Sequence, residues 1–492
     1  MFKLLCICLP LLARVVAAVP ATLCERCDDA NPSASSSTEP VAATSSGPLP
    51  FDTEMGDVEP IHLEPFDAVP VGPQPVTSGV SIGDGHGSEV VGFGPTSRKK
   101  NVVYYADWSI YEAAFLPQQL PAEDITHLLY AFAGVADDGS VISMDPWADE
   151  EKILSAPGGP GRNDTQGPND VHGAVEQVFL LKKRHRHMKT LLSIGGWNMS
   201  QSGKFAPVLE TAEGRIRFAK TAVNLLANWG LDGIDIDYEY PINEREAVGF
   251  VDLLRECRKA LDEYASLHSQ RYHYLLTAAV SAAKQHYKWL NMPAIDQYLD
   301  AWHLMAYDYA GSWDDKSGDQ SNVFHDPTNP GRTRANSDQA VNDYVAAGVD
   351  PEKIILGIPL YGRSFMNTDG PGKPYEGVGE GSIEKGVWLY RDLPRPGAVV
   401  HVNRDIIAAY SYDNATRELV TYDNMETTTL KAEYLGNKGL GGAVFWEASG
   451  DRKGDESLVK AVARKMGHLD NSINMLSYPE SQFSNIANAT RW

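Results

Sequence analysis

Eight short apolar runs recur between residues 100 and 446 of this 492-residue chain, and their spacing constrains the fold more than any other feature. They are Val102–Ala106 (VVYYA), His127–Ala133 (HLLYAFA), Thr190–Ile194 (TLLSI), Gly233–Glu239 (GIDIDYE), Tyr274–Ser281 (YLLTAAVS), Ala301–Tyr307 (AWHLMAY), Lys353–Pro359 (KIILGIP) and Gly441–Trp446 (GGAVFW). Between most of them lie helical patterns, at 171–187, 212–229, 244–266, 337–348 and 456–467. Strands that alternate with helices pair in parallel through right-handed crossovers, because each crossover must lay its helix back on the sheet. Eight such strands predict an α/β fold closed into a (β/α)8 TIM barrel. An open doubly wound sheet usually carries a Gly-rich phosphate loop after its first strand. Here that position holds Asp107-Trp108-Ser109-Ile110-Tyr111.

The alternation breaks from about 365 to 435, a stretch rich in Gly, Tyr, Thr and Asp with short period-two runs such as Glu418–Tyr422. A small α+β insertion between the seventh and eighth strands is expected, forming a wall on the C-terminal face of the barrel. The N-terminal region differs in kind. Met1–Lys3 followed by the apolar run Leu4–Ala13 and small residues to Ala18 has the pattern of a secretory signal peptide over residues 1–18. Its apolar core is too short for a membrane span, which needs about 20 residues. Residues 28–97 hold ten prolines and no Lys or Arg. Such a segment cannot bury enough apolar surface to offset its ordering entropy. Residues 19–100 therefore read as a disordered acidic extension. It ends at Arg98-Lys99-Lys100, a possible propeptide cleavage site. A catalytic unit over 101–470 and a C-terminal tail over 471–492 complete the expected organisation. After signal removal, Cys24, Cys27 and Cys257 remain. The Cys24/Cys27 pair lacks the βαβ context of a redox motif and the second pair of a zinc site, and Cys257 sits in a helical pattern as a small buried hydrophobe. The net charge of −22 argues against nucleic acid or an anionic membrane as partner.

The chemistry concentrates in Asp232-Gly233-Ile234-Asp235-Ile236-Asp237-Tyr238-Glu239-Tyr240-Pro241. Acid and apolar residues alternate with the period of a strand. Asp235, Asp237 and Glu239 share one face, about 6.6 Å apart in sequence neighbours along it, while Ile234, Ile236 and Tyr238 share the other. In a barrel the acidic face is the lumen. Three carboxylates confined there repel, so at least one keeps a proton near neutrality, as a general acid requires. A metal centre is the competing reading. No EF-hand loop or HExxH accompanies the acids, and no metal or cofactor is expected.

DGIDIDYEYP resembles the DxxDxDxE signature of glycoside hydrolase family 18, the chitinases. Ser193-Ile194-Gly195-Gly196-Trp197 is similar to that family's SxGG, Met305-Ala306-Tyr307-Asp308 to its MxYD, Gly357–Arg363 to the segment after strand seven, and Phe445-Trp446-Glu447 to its strand-eight tryptophan. The resemblance covers about residues 101–492. It is greatest to secreted fungal endochitinases with a chitinase insertion domain, and it departs at Tyr238, where many relatives carry Trp. It implies substrate-assisted retaining hydrolysis of β-1,4 links in chitin, without an enzyme nucleophile. Glu239 would protonate the glycosidic oxygen. Asp237 would orient the 2-acetamido group, whose oxygen attacks the anomeric carbon to give an oxazolinium ion. Asp235 would share a proton with Asp237, and Tyr307 would hydrogen-bond the acetamido carbonyl. Asp308 would hold and distort the −1 sugar, Trp446 would floor that ring, and Trp197 would be the product-side platform. Gly196, Tyr240, Met305, Ala306, Tyr361 and Arg363 would line the same cleft, with Tyr105, Trp108 and Tyr111 as weaker candidates. Asp232 would be structural. The expected partner is chitin or chitooligosaccharide, bound by a secreted monomer.

Two other functions fit the same fold: a chitin-binding lectin, which in the family lacks the acid Glu, and an endo-β-N-acetylglucosaminidase acting on N-glycans. Glu239 argues against the first, and the complete insertion with its aromatic lining against the second. The basic run Lys182–His187 reads as a solvated helix end. Sequons stand at Asn163, Asn198, Asn414 and Asn488.

Overall fold

The computed structural model describes residues 98–154, 167 and 169–489. The expected signal peptide and almost all of the acidic extension therefore lie outside the described residues. Within them, β1 (Lys100–Ala106), β2 (His127–Val135), β3 (Val141–Ser143), β4 (Lys189–Gly195), β5 (Gly233–Asp237), β6 (Leu275–Ser281), β7 (Ala301–Met305) and β8 (Ile354–Pro359) lead to five insertion strands and a last barrel strand. The insertion strands are β9 (Tyr361–Phe365), β10 (Val387–Leu389), β11 (Val399–Asn403), β12 (Ala408–Asp413) and β13 (Glu418–Thr421), and β14 is Gly442–Trp446. The parallel order β1-β14-β8-β7-β6-β5-β4-β2 closes on itself through β1–β2 pairing, while β3 adds antiparallel to the outer end of β2. This is the (β/α)8 barrel that the alternation predicts.

Two hydrophobic layers follow from the strand period. Ile234, Ile236, Val103 and Tyr105 face outward into the shell between strands and helices. Val102, Tyr104, Leu129, Leu191, Ile355 and Val444 fill the lumen. The crossover helices start and stop on local signals. Ala212–Trp229 is capped by the Thr211 hydroxyl, which accepts from Gly214 N, and ends at Gly230 in the left-handed region (φ 68°). Glu244–Leu267 begins at Asn243, whose side chain accepts from Glu246 N. Cys257 is fully buried on that helix.

The insertion forms a separate antiparallel sheet in the order β10-β9-β13-β12-β11. It spans Tyr361–Thr421, and the helix that follows, Met425–Asn437, packs on β14 and on the helix Leu458–Met466. Met425–Asn437 belongs to the barrel, so the final residues of the 365–435 interval serve as the seventh crossover, from β8 to β14. Just ahead of the barrel, Lys99 bridges to Leu469, and Lys100 opens β1, paired with Gly442. Lys99 and Lys100 are thus held by the barrel, so the expected boundary at residue 100 moves ahead of Lys99.

One expectation is corrected at the barrel's base. The run at 182–187 is not a solvated helix end throughout, because Lys182 is completely buried and its Nζ lies 2.8 Å from Asp232, which is equally buried. Asp232 Oδ1 also accepts from Tyr272 Oη and Met475 N, and Oδ2 from Thr190 N. The tail seals this pair. Lys182 Nζ donates to Tyr478 Oη, which donates to Leu231 O. Burial pulls the Lys182 ammonium down to about 8, against the pull of Asp232.

Candidate active site

The acids of the β5 motif reach the upper lumen as the period predicts, but the strand ends at Asp237. Gly196 N donates to Asp237 O at 2.9 Å, and Glu239 follows beyond the ladder. Tyr307 likewise lies past the end of β7. Chain ends released from pairing are where a TIM barrel places side chains over its mouth. The peptides Ala131-Phe132, Glu239-Tyr240 and Trp446-Glu447, at the ends of their strands or within the β2 irregularity, are cis.

Asp235 and Asp237 are both buried, yet their surroundings are opposite. Asp235 Oδ1 faces Thr277 Oγ1 at 2.7 Å and His303 Nδ1 at 2.9 Å. Its Oδ2 accepts from Ser193 Oγ at 2.7 Å and Tyr104 Oη at 3.0 Å. Burial pushes the Asp235 carboxyl up, but the His303 charge and these hydrogen bonds outweigh it and hold the carboxyl below its ordinary range. Asp237 has no such cage, and its Oδ1 is buried without a hydrogen-bond partner. Burial, then the charges of Glu239 and Asp235, push its carboxyl well above the ordinary range, so it holds a proton more readily than Asp235. Glu239 is raised to about 7, chiefly by burial; a hydrogen bond with Tyr240 pulls it down and the charge of Asp308 pushes it up. Up the motif, Asp235 is thus held low, Asp237 is pushed well up and Glu239 is raised to about 7.

The remaining candidates fall into three groups. Tyr307, Asp308, Tyr361 and Arg363 form a connected wall. Tyr361 Oη donates to Asp308 Oδ1 at 2.6 Å, and Arg363 grips both Asp308 oxygens from Nε and Nη2 at 2.6 and 2.7 Å. β9, the first insertion strand, thus supplies two side chains to the barrel mouth. Trp446 and Trp108 share an aromatic cluster with Phe132. Trp446 rests on Tyr104 and stacks on Phe132, with ring centroids 5.1 and 5.6 Å apart, and Trp108 joins it at 6.3 Å. Trp197 is 49% exposed at the start of its short helix. Tyr240 lies against His286. Tyr111 stacks on Trp147 farther along the surface.

The third group acts through backbone or packing. Gly196 is buried in the left-handed region (φ 79°), and a Cβ there would come within 2.6 Å of the Phe132 ring, so the chain can cross that ring only as glycine. Met305 is half-buried at the end of β7. Ala306 has no exposed surface and packs in the outer shell, so its side chain does not reach the cleft. Tyr105 is corrected in the same way. It is wholly buried against Phe115 and Tyr130, because odd and even positions of β1 face opposite layers.

Four residues that hold Asp235 were not among the expected site residues: Tyr104, Ser193, Thr277 and His303. Each is a polar side chain at a lumen position of an otherwise apolar strand, which is the signal that would have found them.

An acid raised to about 7 next to a second carboxyl pushed well above its ordinary range is equipped for glycoside cleavage. The family model for glycosyl hydrolases family 18 matches residues 100–451. This chain belongs to glycosyl hydrolase family 18. Among its relatives, endochitinase 1 of Metarhizium robertsii is 44% identical over 386 residues, covering 78% of this chain and 89% of the relative. The catalytic domain of the psychrophilic chitinase B from Arthrobacter TAD20 superposes with a TM-score of 0.69 at 27% identity, over 77% of this chain and 99% of that one. Catalytic domain 2 of the Ostrinia furnacalis Group II chitinase, solved as a mutant in complex with (NAG)5, gives a TM-score of 0.65 at 27% identity, over 77% and 99% of the two chains. The family 18 enzyme described here is therefore a glycoside hydrolase.

Proposed function

We propose that this enzyme is a secreted endochitinase that cleaves β-1,4 links between N-acetylglucosamine units by substrate-assisted, retaining catalysis. The observation that carries the reading is that Asp235 is enclosed by Thr277, His303, Ser193 and Tyr104 while the next acid of the motif, Asp237, is buried with Oδ1 unpartnered, just ahead of Glu239. Glu239 gives its proton to the glycosidic oxygen. The sugar's own 2-acetamido oxygen attacks C1, the bond to the leaving oxygen breaks, and an oxazolinium ion forms. Asp237, short of partners in the lumen, turns toward the acetamido N–H and stabilises the charge. Tyr307 donates to the acetamido oxygen, Asp308 is held by Arg363 and Tyr361 to meet the sugar, and Trp446 floors the ring. The attack is intramolecular and gains from high effective molarity. Water, deprotonated by Glu239, then opens the ring with net retention. Apolar sugar faces suit Trp446, Trp197, Trp108 and Tyr240 without any charge.

Residues 1–18 would direct secretion and residues 19–97 would form an N-terminal extension, with the enzyme acting as a monomer. Among the described residues, no helix is long and apolar enough to cross a membrane. Chitotetraose and an N-glycan are the deciding substrates. Early chitobiose with the β-anomer in excess supports the proposal. Cleavage of the N-glycan core alone would replace it, and binding of chitotetraose without cleavage would indicate a lectin.

A further inference from the structure

His303 sits in the lumen at mid-height, 3% exposed, and no step of the proposed mechanism uses it. Its Nδ1 lies 2.9 Å from Asp235 Oδ1. That carboxylate is already surrounded by the hydroxyls of Thr277, Ser193 and Tyr104. An ionised carboxylate only accepts, so the imidazole must donate through Nδ1. The Tyr104 ring packs edge-on beside it. Below His303 a small cavity opens in the lumen, bordered by Lys100, His127, Thr277 and Asp300. The charged or titratable groups around the ring are thus Asp235 and Asp237 on β5, Tyr104 and Lys100 on β1, His127 on β2, Asp300 ahead of β7 and Tyr307 beyond its end, with Lys189 and Asp470 deeper at the base. The flanking strands β6 and β8 pair Ala279 and Ile355 with His303, and neither titrates.

Resting on the assignment of Asp235 and Asp237 above, we propose that His303 is a positioning residue for the catalytic acids: its Nδ1 hydrogen bond and the positive charge of its protonated ring keep Asp235 anionic, so that the proton the two aspartates share resides on Asp237. The acids at the mouth are thereby set by a base inside the barrel. The direction found for Asp235, below its ordinary range although it is buried, agrees with that arrangement.

His303→Asn keeps a hydrogen-bond donor of similar reach and removes the titratable charge. Without the cation, Asp235 takes up a proton at higher pH, so the acid limb of kcat/KM for chitotetraose should move up by about one pH unit or more. A profile that superimposes on wild type overturns the proposal. His303→Gln is run in parallel in case the shorter side chain impairs folding. In the wild-type enzyme, nitrogen NMR of labelled histidine should show Nδ1 protonated throughout the active pH range; a bare Nδ1 also overturns it. Asp235→Asn separates the two readings. If that variant keeps wild-type kcat, the assignment of the acids fails. If it is crippled while His303→Asn superimposes on wild type, only the role of His303 fails.

Discussion

Asp232 and Asp237 stand five residues apart in one short motif, both are buried, and their fates diverge. Asp232 at the base meets Lys182 and a complete set of donors from β4, the segment before β6 and the C-terminal tail. Asp237 at the mouth meets two other acids and leaves an oxygen unpartnered. The base follows the rule for stable proteins, in which a buried charge is paired and fully hydrogen-bonded. The mouth breaks that rule, and the unmet demand is what a substrate amide can satisfy. The same side chain is structural when the fold surrounds it with partners and chemical when the fold withholds them.

The widest separation of the two regions should come from Glu239→Gln. Loss of the acid is expected to cut kcat by about 10²–10⁴-fold with an unchanged unfolding midpoint; activity near wild type would remove Glu239 from the chemistry. At the base the pattern should invert. Lys182→Met strands Asp232 as an uncompensated buried charge and should cost about 3–5 kcal/mol in denaturant unfolding, while the folded fraction keeps its kcat. A lowered kcat per folded molecule would show that the two ends are not separable. The pH profile sharpens the account of the mouth. Glu239 must be protonated to act, and burial raises it to about 7, so kcat/KM should fall as pH rises through that value. An alkaline limb far above it would assign the acid elsewhere. The smallest effect belongs to the wall. Asp308 is partly exposed, so Arg363→Lys should change stability by no more than about 1 kcal/mol yet raise KM several-fold, because a lysine cannot grip both Asp308 oxygens. Equal KM would make the Arg363–Asp308 pair a bystander.

The lumen shows why part of the site was legible and part was not. Asp235, Asp237 and Glu239 announce themselves because acid–apolar alternation is a local property of one strand. The four groups around Asp235 come from β1, β4, β6 and β7, and a single Tyr, Ser, Thr or His in an apolar run has no local pattern to mark it. Extrapolating the period also carried β5 to Glu239 and β7 to Tyr307, whereas pairing stops at Asp237 and Met305. Ala306 and Tyr105 went to the outer shell because the facing of a position is set by strand parity, not by closeness to a motif.

The sequence alone determined the barrel, its crossover helices, the presence of an inserted subdomain and the acid ladder, since each rests on periodicity or capping within a few residues. Only the tertiary structure decided which acid is held low and which is pushed up, that Lys182 is sealed beneath the barrel by the tail, and that β9 lends Tyr361 and Arg363 to the mouth. Protonation and burial depend on what surrounds a group in space, and those surroundings are assembled from segments as far apart as Lys182 and Tyr478.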